Sequence, residues 1–151
     1  MISQIELGAG LIGLSPLPRN LEELEIVGAW RADLAVSLTQ DDEFHRLAPD
    51  GLIQVLGADR LVFPIADYGV PTDRQTQAWP DIAACITACL ERGERVLIHC
   101  KGGCGRTGMI VLRLMVEAGE DPDKALHRLR RSRPCAIETQ AQLRWAQGCP
   151  V

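Results

Sequence analysis

The chain has 151 residues, 46% of them hydrophobic, which is enough for one domain with a substantial core and too apolar for a disordered segment. Sixteen basic residues against twenty acidic ones leave a net charge of −4, which argues against a protein built to coat nucleic acid or an anionic membrane. Met1 leads directly into Ile2-Ser3-Gln4-Ile5-Glu6 with no basic-then-apolar leader, and no apolar run reaches membrane-spanning length, so a soluble cytoplasmic protein without membrane insertion is expected.

Ile2–Glu6 and Leu11–Leu14 flank Gly8-Ala9-Gly10 and predict a short hairpin. Helical spacing follows over Leu21–Trp30, then an apolar run at Leu34–Leu38 predicts a strand, and Asp41–Leu56 contains a further helical region. Leu61–Ile65 reads as a strand, Gln75–Arg92 as a long helix announced by Thr72-Asp73, and Arg95–Ile98 as another strand. Arg106–Glu117, Pro122–Arg131 and Thr139–Gln147 complete the pattern as three helices, the second with proline in its first turn after Asp121. This alternation predicts an α/β class and one domain over 1–151, with a central mixed but mostly parallel sheet of about four or five strands flanked by helices.

The six cysteines, Cys85, Cys89, Cys100, Cys104, Cys135 and Cys149, include no Cys-x-x-Cys pair, and reduced thiols are expected. Cys85 and Cys89 lie one helical turn apart, and buried packing is a simpler reading than metal or redox chemistry. Lys124, Arg128, Arg130, Arg131 and Arg133 read as a solvated helical face.

The most informative segment is His99-Cys100-Lys101-Gly102-Gly103-Cys104-Gly105-Arg106-Thr107-Gly108, which follows an apolar strand and opens a helix. Glycines let consecutive N–H groups turn toward one anion, the helix N-terminus adds positive partial charge, and Arg106 supplies a planar fork of donors. The same field favours a thiolate at Cys100. Gly103-Cys104-Gly105-Arg106-Thr107-Gly108 also spells a dinucleotide fingerprint, but Gly119–Arg133 is polar and helical where that fold needs a second strand with an acidic ribose ligand. A nucleotide-triphosphate loop fails at Cys100 and Arg106, which would have to be glycine and lysine. A purely structural loop would have to place His99, Cys100, Arg106 and Thr107 around three glycines by accident.

That segment resembles the signature loop of cysteine-dependent protein phosphatases: His-Cys, five residues, Arg, then Ser or Thr. Phe63-Pro64-Ile65-Ala66-Asp67-Tyr68-Gly69-Val70-Pro71 is similar to the acid-bearing loop of the dual-specificity branch, especially its kinase-associated-phosphatase-like members. Ala136-Ile137-Glu138-Thr139-Gln140-Ala141-Gln142 resembles that branch's last loop, so the likeness runs from about Leu11 to Gln147. It implies a tyrosine-phosphatase-like fold and hydrolysis of phosphomonoesters through a cysteinyl-phosphate, with neither metal nor cofactor. Cys100 would be the nucleophile. The phosphate would be held by Arg106 and by the loop amides of Lys101, Gly102, Gly103, Cys104 and Gly105. Thr107 would donate a hydrogen bond to the thiolate, or alternatively cap the helix. His99 would support the loop through hydrogen bonds, and Gln142, with Gln140 as its rival, would orient water.

Asp67 is the expected proton donor to the leaving group, with Asp73, which also has a capping explanation, as the alternative. With one tyrosine and two phenylalanines in the chain, a shallow site is expected, Tyr68 being the nearest aromatic candidate for its entrance. The expected partners are phosphotyrosine and phosphoserine or phosphothreonine proteins, or a small phosphomonoester, handled by a monomer. The alternatives are a phosphoinositide or nucleotide phosphatase and a catalytically quiet phosphoprotein-binding module. Lys101 without a second lysine at Cys104 disfavours a site for extra phosphates, and retention of thiol, guanidinium, hydroxyl and acid disfavours a binding-only module. A Cys100–Cys104 disulfide after oxidation is a further possibility.

Overall fold

The computed structural model describes residues 1–57 and 59–151. In chain order its elements are β1 (Ser3–Leu7), β2 (Gly10–Pro16), α1 (Leu21–Trp30), β3 (Leu34–Ser37), α2 (Asp41–Leu47), α3 (Leu52–Leu56), β4 (Leu61–Val62), α4 (Asp73–Glu91), β5 (Arg95–Cys100), α5 (Gly105–Glu117), α6 (Pro122–Ser132) and α7 (Gln140–Ala146). The five strands form one mixed sheet in the order β1-β2-β5-β3-β4. Only the β1–β2 hairpin, turned at Gly8, is antiparallel; β2, β5, β3 and β4 run parallel.

Both faces of the parallel part are covered, which is why its strands read as nearly continuous apolar runs. Val96, Ile98 and Cys100 of β5 face a core built with Trp79 and Ile86 of α4, Met109 and Ile110 of α5, Leu129 of α6 and Trp145 of α7. Leu97, between them, faces the other way with Ala35, Leu24, Val27, Phe44, Leu52 and Leu56, under α1, α2 and α3. Helix α5 lies buried over Gly105–Met115 except at Arg113, so its polar N-terminal residues are held inside the protein at the carboxyl end of the central strand. Ligand sites of open α/β sheets form at that edge.

The predicted elements are all present, with local departures that have plain causes. Strand β4 stops at Val62 because Pro64 has no N–H to give, although Phe63 and Ile65 still donate to the carbonyls of Ser37 and Leu38. The helical region expected within Asp41–Leu56 is two short helices, divided by Pro49-Asp50-Gly51. Helix α4 starts at Asp73 rather than Gln75, because Thr72 and Gln75 exchange side-chain and backbone hydrogen bonds in a capping box.

Candidate active site

Strand β5 ends at Cys100 and helix α5 begins at Gly105, and the four residues between them turn through a tight arc. Cys100 is 3% exposed, and its Sγ accepts the backbone N–H of Gly103 at 3.2 Å. Gly103 adopts a φ of 69°, and a Cβ there would lie 2.6 Å from Pro16 N, so the turn admits only glycine. Lys101 and Gly102 are exposed on the rim, and the Lys101 carbonyl is tied to Leu17 N at 3.0 Å.

Arg106, the second residue of α5, is 1% exposed yet fully engaged at its terminal nitrogens. Nη1 and Nη2 donate to the two carboxylate oxygens of Glu43 at 2.7 and 2.9 Å, Nη1 also reaches Ile65 O at 2.9 Å, and Nη2 reaches Asp67 Oδ1 at 3.1 Å. Burial works against this charge, but the Glu43 hydrogen bonds and the fields of Cys100, Glu43 and Asp67 outweigh it and hold the guanidinium above its ordinary value. Arg106 in turn keeps Glu43 below the usual carboxylate range against the effect of burial. Glu43 is placed by its own helix start, where its side chain accepts the N–H of Gln40.

Asp67 sits at 42% side-chain exposure in a turn closed by Gly69 N–H to Ala66 O at 2.8 Å. Tyr68 occupies the left-handed region in that turn, a position glycine would fill without strain. Two buried side chains pin the turn from below. Arg106 holds Ile65 O, and Gln142 donates from Nε2 to Gly69 O at 3.1 Å while its Oε1 accepts from Glu138 N and Thr139 N. The structure therefore brings Cys100, Arg106, Asp67, Gln142 and the loop from Lys101 to Gly105 together. Asp73 stands apart as the first, exposed residue of α4, and Gln140 as the first, exposed residue of α7.

Beneath the loop, the His99 ring lies fully inside the protein, where burial drives its pKa down to about 4. A neutral ring carries one proton. Nδ1 faces the Cys100 carbonyl at 3.4 Å and must be the donor, so Nε2 accepts from Ser37 Oγ at 2.6 Å. The Thr107 hydroxyl is buried without a hydrogen-bond partner, so the expected bond to Cys100 is not made in this state.

Four expectations are corrected here. The thiols are not all reduced: Cys104 and Cys135 form a disulfide with Cα atoms 5.2 Å apart, because the connection from α6 to α7 folds back onto the N-terminus of α5. This also commits Cys104 to Cys135 rather than to Cys100. Cys89 packs in the core, whereas Cys85 is exposed. The basic cluster is only partly a solvated face. Arg128 binds Glu6 O and Glu120, Arg130 binds the carbonyls of Ala136 and Ile137, and Arg133 binds those of Gly102 and Gly103.

Glu43, Ser37 and Glu138 also belong to the site without having been singled out. Glu138 Oε1 accepts the Gly105 N–H at 2.7 Å, placing a carboxylate on an amide of the anion cradle. Glu43 is one of three consecutive acids at a helix start, and only the fold distinguishes it from Asp41 and Asp42. Asp67, Tyr68, Lys101, Cys104, Cys135 and Glu138 line the opening, a cavity of about 350 Å³. Among the described residues no group of three His, Cys, Asp or Glu side chains could hold a metal ion, and no helix is long and apolar enough to cross a membrane.

A family model described as "Swiss Army Knife protein, DSP-PTPase phosphatase domain" matches residues 10–146. Cyclin-dependent kinase inhibitor 3 of Homo sapiens is 31% identical over 135 residues, which cover 82% of this chain and 58% of that protein. Protein tyrosine phosphatase domain-containing protein 1 of Mus musculus is 36% identical over 113 residues, 74% of this chain and 14% of that protein. The chain thus spans little more than half the length of the first relative and far less of the second. Among solved structures, kinase-associated phosphatase with its catalytic-site cysteine replaced by serine superposes with a TM-score of 0.81 at 24% identity, over 97% of this chain and 91% of that one. Tk-PTP in its active form superposes at 0.73 with 30% identity, over 97% and 96%.

Proposed function

The chain belongs to this DSP-PTPase phosphatase family, and on that premise we propose that residues 1–151 form one phosphatase domain that hydrolyses phosphomonoesters through a cysteinyl-phosphate. The observation that carries the reading is the convergence of a buried thiol, a buried guanidinium clamped by Glu43, and the Asp67 carboxylate on one amide-lined loop. An incoming phosphate dianion takes over the edge of Arg106 that Asp67 holds in its absence. The Cys100 thiolate attacks phosphorus as the bond to the leaving oxygen breaks, and protonated Asp67 gives that oxygen its proton. Asp67, then a carboxylate, accepts a proton from the water that attacks the cysteinyl-phosphate, and the thiolate departs. Gln142 serves this second step by holding the acid-bearing turn through Gly69 O and by presenting its remaining amide hydrogen.

The opening supports a reading of the substrate class. Lys101 is its one basic residue beside Asp67 and Glu138, which suits a single phosphate better than a polyphosphorylated headgroup. Tyr68, the only tyrosine, is exposed and walls no deep slot. We therefore assign phosphotyrosine and phosphoserine or phosphothreonine proteins as substrates.

The test is turnover of matched phosphopeptides with chelator present, comparing the wild-type chain with Cys100→Ser and Asp67→Asn. Wild-type activity should survive chelation, and Cys100→Ser should abolish it. Asp67→Asn should slow alkyl phosphates by about 10²- to 10⁴-fold while sparing activated aryl phosphates. Turnover by Cys100→Ser would overturn the mechanism. Preference for phosphoinositides or nucleotides over every peptide would overturn the substrate assignment.

A further inference from the structure

Arg133 is the C-cap of α6 and comes from outside the phosphate loop, 33 residues after Cys100 in sequence. Its Nε donates to Gly103 O at 2.9 Å and its Nη2 to Gly102 O at 3.1 Å, a fork over two consecutive carbonyls of the cradle. The remaining nitrogen, Nη1, is anchored on Met1 O at 2.8 Å and Ser3 Oγ at 3.3 Å, which fixes the guanidinium plane from behind.

A planar trans peptide points its C=O and the following N–H in opposite directions. With Gly102 O turned out to Arg133, the Gly103 N–H must turn inward, and it does so onto Cys100 Sγ at 3.2 Å. With Gly103 O held the same way, the Cys104 N–H is aimed into the cradle. Glycine has no steric preference that would keep these planes from flipping, and the left-handed φ of 69° at Gly103 is one that glycine leaves readily. Something else has to select one orientation. A cation bonded to the outward carbonyls does this and also polarises the same peptides, strengthening their inward donors. The two groups feel each other's charge: burial pushes the Arg133 guanidinium down from its ordinary value, and Cys100 opposes that shift.

We propose that Arg133 is a positioning residue that locks the Gly102 and Gly103 peptide planes so that their N–H ends stabilise the Cys100 thiolate and the phosphate oxygens. The role rests on the phosphatase reading for its consequence in catalysis, but its effect on Cys100 and on anion binding can be read without turnover.

The experiment compares wild-type, Arg133→Gln, Arg133→Lys and, as a control on the exposed side of α6, Arg131→Ala. Three quantities are read: kcat and KM on an aryl phosphate, affinity for vanadate, and the rate of Cys100 alkylation by iodoacetamide as a function of pH. Arg133→Gln should lower kcat by about 10- to 100-fold, the range for groups that orient others, with a smaller change in KM. It should weaken vanadate binding and move the alkylation profile to higher pH. Arg133→Lys keeps the charge but not the fork and should fall between the two, and it is read by the same assays if Arg133→Gln does not fold. Arg131→Ala should match wild type. Folded Arg133 variants with wild-type kcat, vanadate affinity and alkylation profile would overturn the proposal, as would a loss confined to thermal stability. If wild-type enzyme shows no turnover, the phosphatase reading fails, while the vanadate and alkylation profiles still decide the role of Arg133.

Discussion

At the scale of single residues, the candidate site is a set of charges that neutralise one another. The terminal nitrogens of Arg106 are taken by Glu43, Ile65 O and Asp67 while its Nε has no partner, and the Gly105 amide is taken by Glu138. Glu43 and Glu138 play opposite parts. Glu43 holds Arg106 in place from the buried side, so Glu43→Gln leaves a buried guanidinium short of its counter-charge. Breaking such a pair costs about 3 kcal/mol, which for a chain of this size lowers the thermal midpoint by roughly 6–12 °C and should take most of kcat/KM with it. Differential scanning calorimetry with steady-state kinetics checks this; an unchanged midpoint would mean that Ile65 O and Asp67 suffice for Arg106. Glu138 lines the opening and, on the proposed reading, faces the incoming anion with a like charge. Glu138→Gln should therefore tighten vanadate inhibition by several-fold up to about tenfold, the size of one like-charge interaction near a surface. Weaker inhibition would instead make Glu138 part of the support of the loop.

At the scale of elements, the short connection from α6 to α7 carries more of the site than its length suggests. It supplies Arg133, Cys135 and Glu138 and leads into Gln142 of α7, and it is fixed to the start of α5 by the Cys104–Cys135 disulfide and by Ile137 N–H to Cys104 O at 3.2 Å. Gly108 allows this approach, since a Cβ there would lie 2.8 Å from Ile137 N. A cross-link closing a loop of 31 residues restricts the unfolded chain by about 3–4 kcal/mol on the chain-entropy account. Cys135→Ser should lose up to that amount in urea unfolding, and wild-type protein treated with dithiothreitol should show the same shift; equal stability of both with the untreated chain would exclude the bond from the folded protein in solution. The same connection shows how far the sequence could be read. Strands, helices and the anion loop announce themselves through local periodicity, glycine placement and capping residues, which need only neighbours in sequence. The partners of Arg106, Gly105 and Cys104 are Glu43, Glu138 and Cys135, and each lies more than thirty residues away with nothing in its own neighbourhood to mark it. Arg133 was hidden in the same way, inside a basic run whose other members include the exposed Lys124 and Arg131.

At the scale of the whole molecule, the site gathers at one edge of the parallel sheet: Glu43 in α2 after β3, Asp67 after β4, the cradle after β5, and, from beyond the sheet, Glu138 of the α6–α7 connection with Gln142 of α7. His99 sits under this edge at the centre of the sheet, and the fold is built around its neutral form. In the unfolded chain it takes up a proton below its ordinary value of 6.5, but in the folded protein burial delays this until about 4. Between those values the unfolded state binds more protons, so stability falls as the pH is lowered, by about 3 kcal/mol over the window. Glu43 acts in the same sense: its carboxyl is depressed in the fold, so its contribution is present above the ordinary carboxylate range and is lost as the pH drops through the folded value. Glu23 and Glu94 are depressed by Arg19 and Arg92 but lie at the surface, where solvent screens their effect. Acid sensitivity should therefore trace to the buried site. Urea unfolding at intervals from pH 7.5 to pH 4 should show the decline beginning near 6.5, and His99→Gln, which can still bond Ser37 but takes no proton, should flatten it down to the range where Glu43 titrates. A variant that declines as steeply as the wild-type chain between pH 6.5 and 4 would show that His99 is charged in the folded protein and that its hydrogen bond to Ser37 is made by a protonated ring.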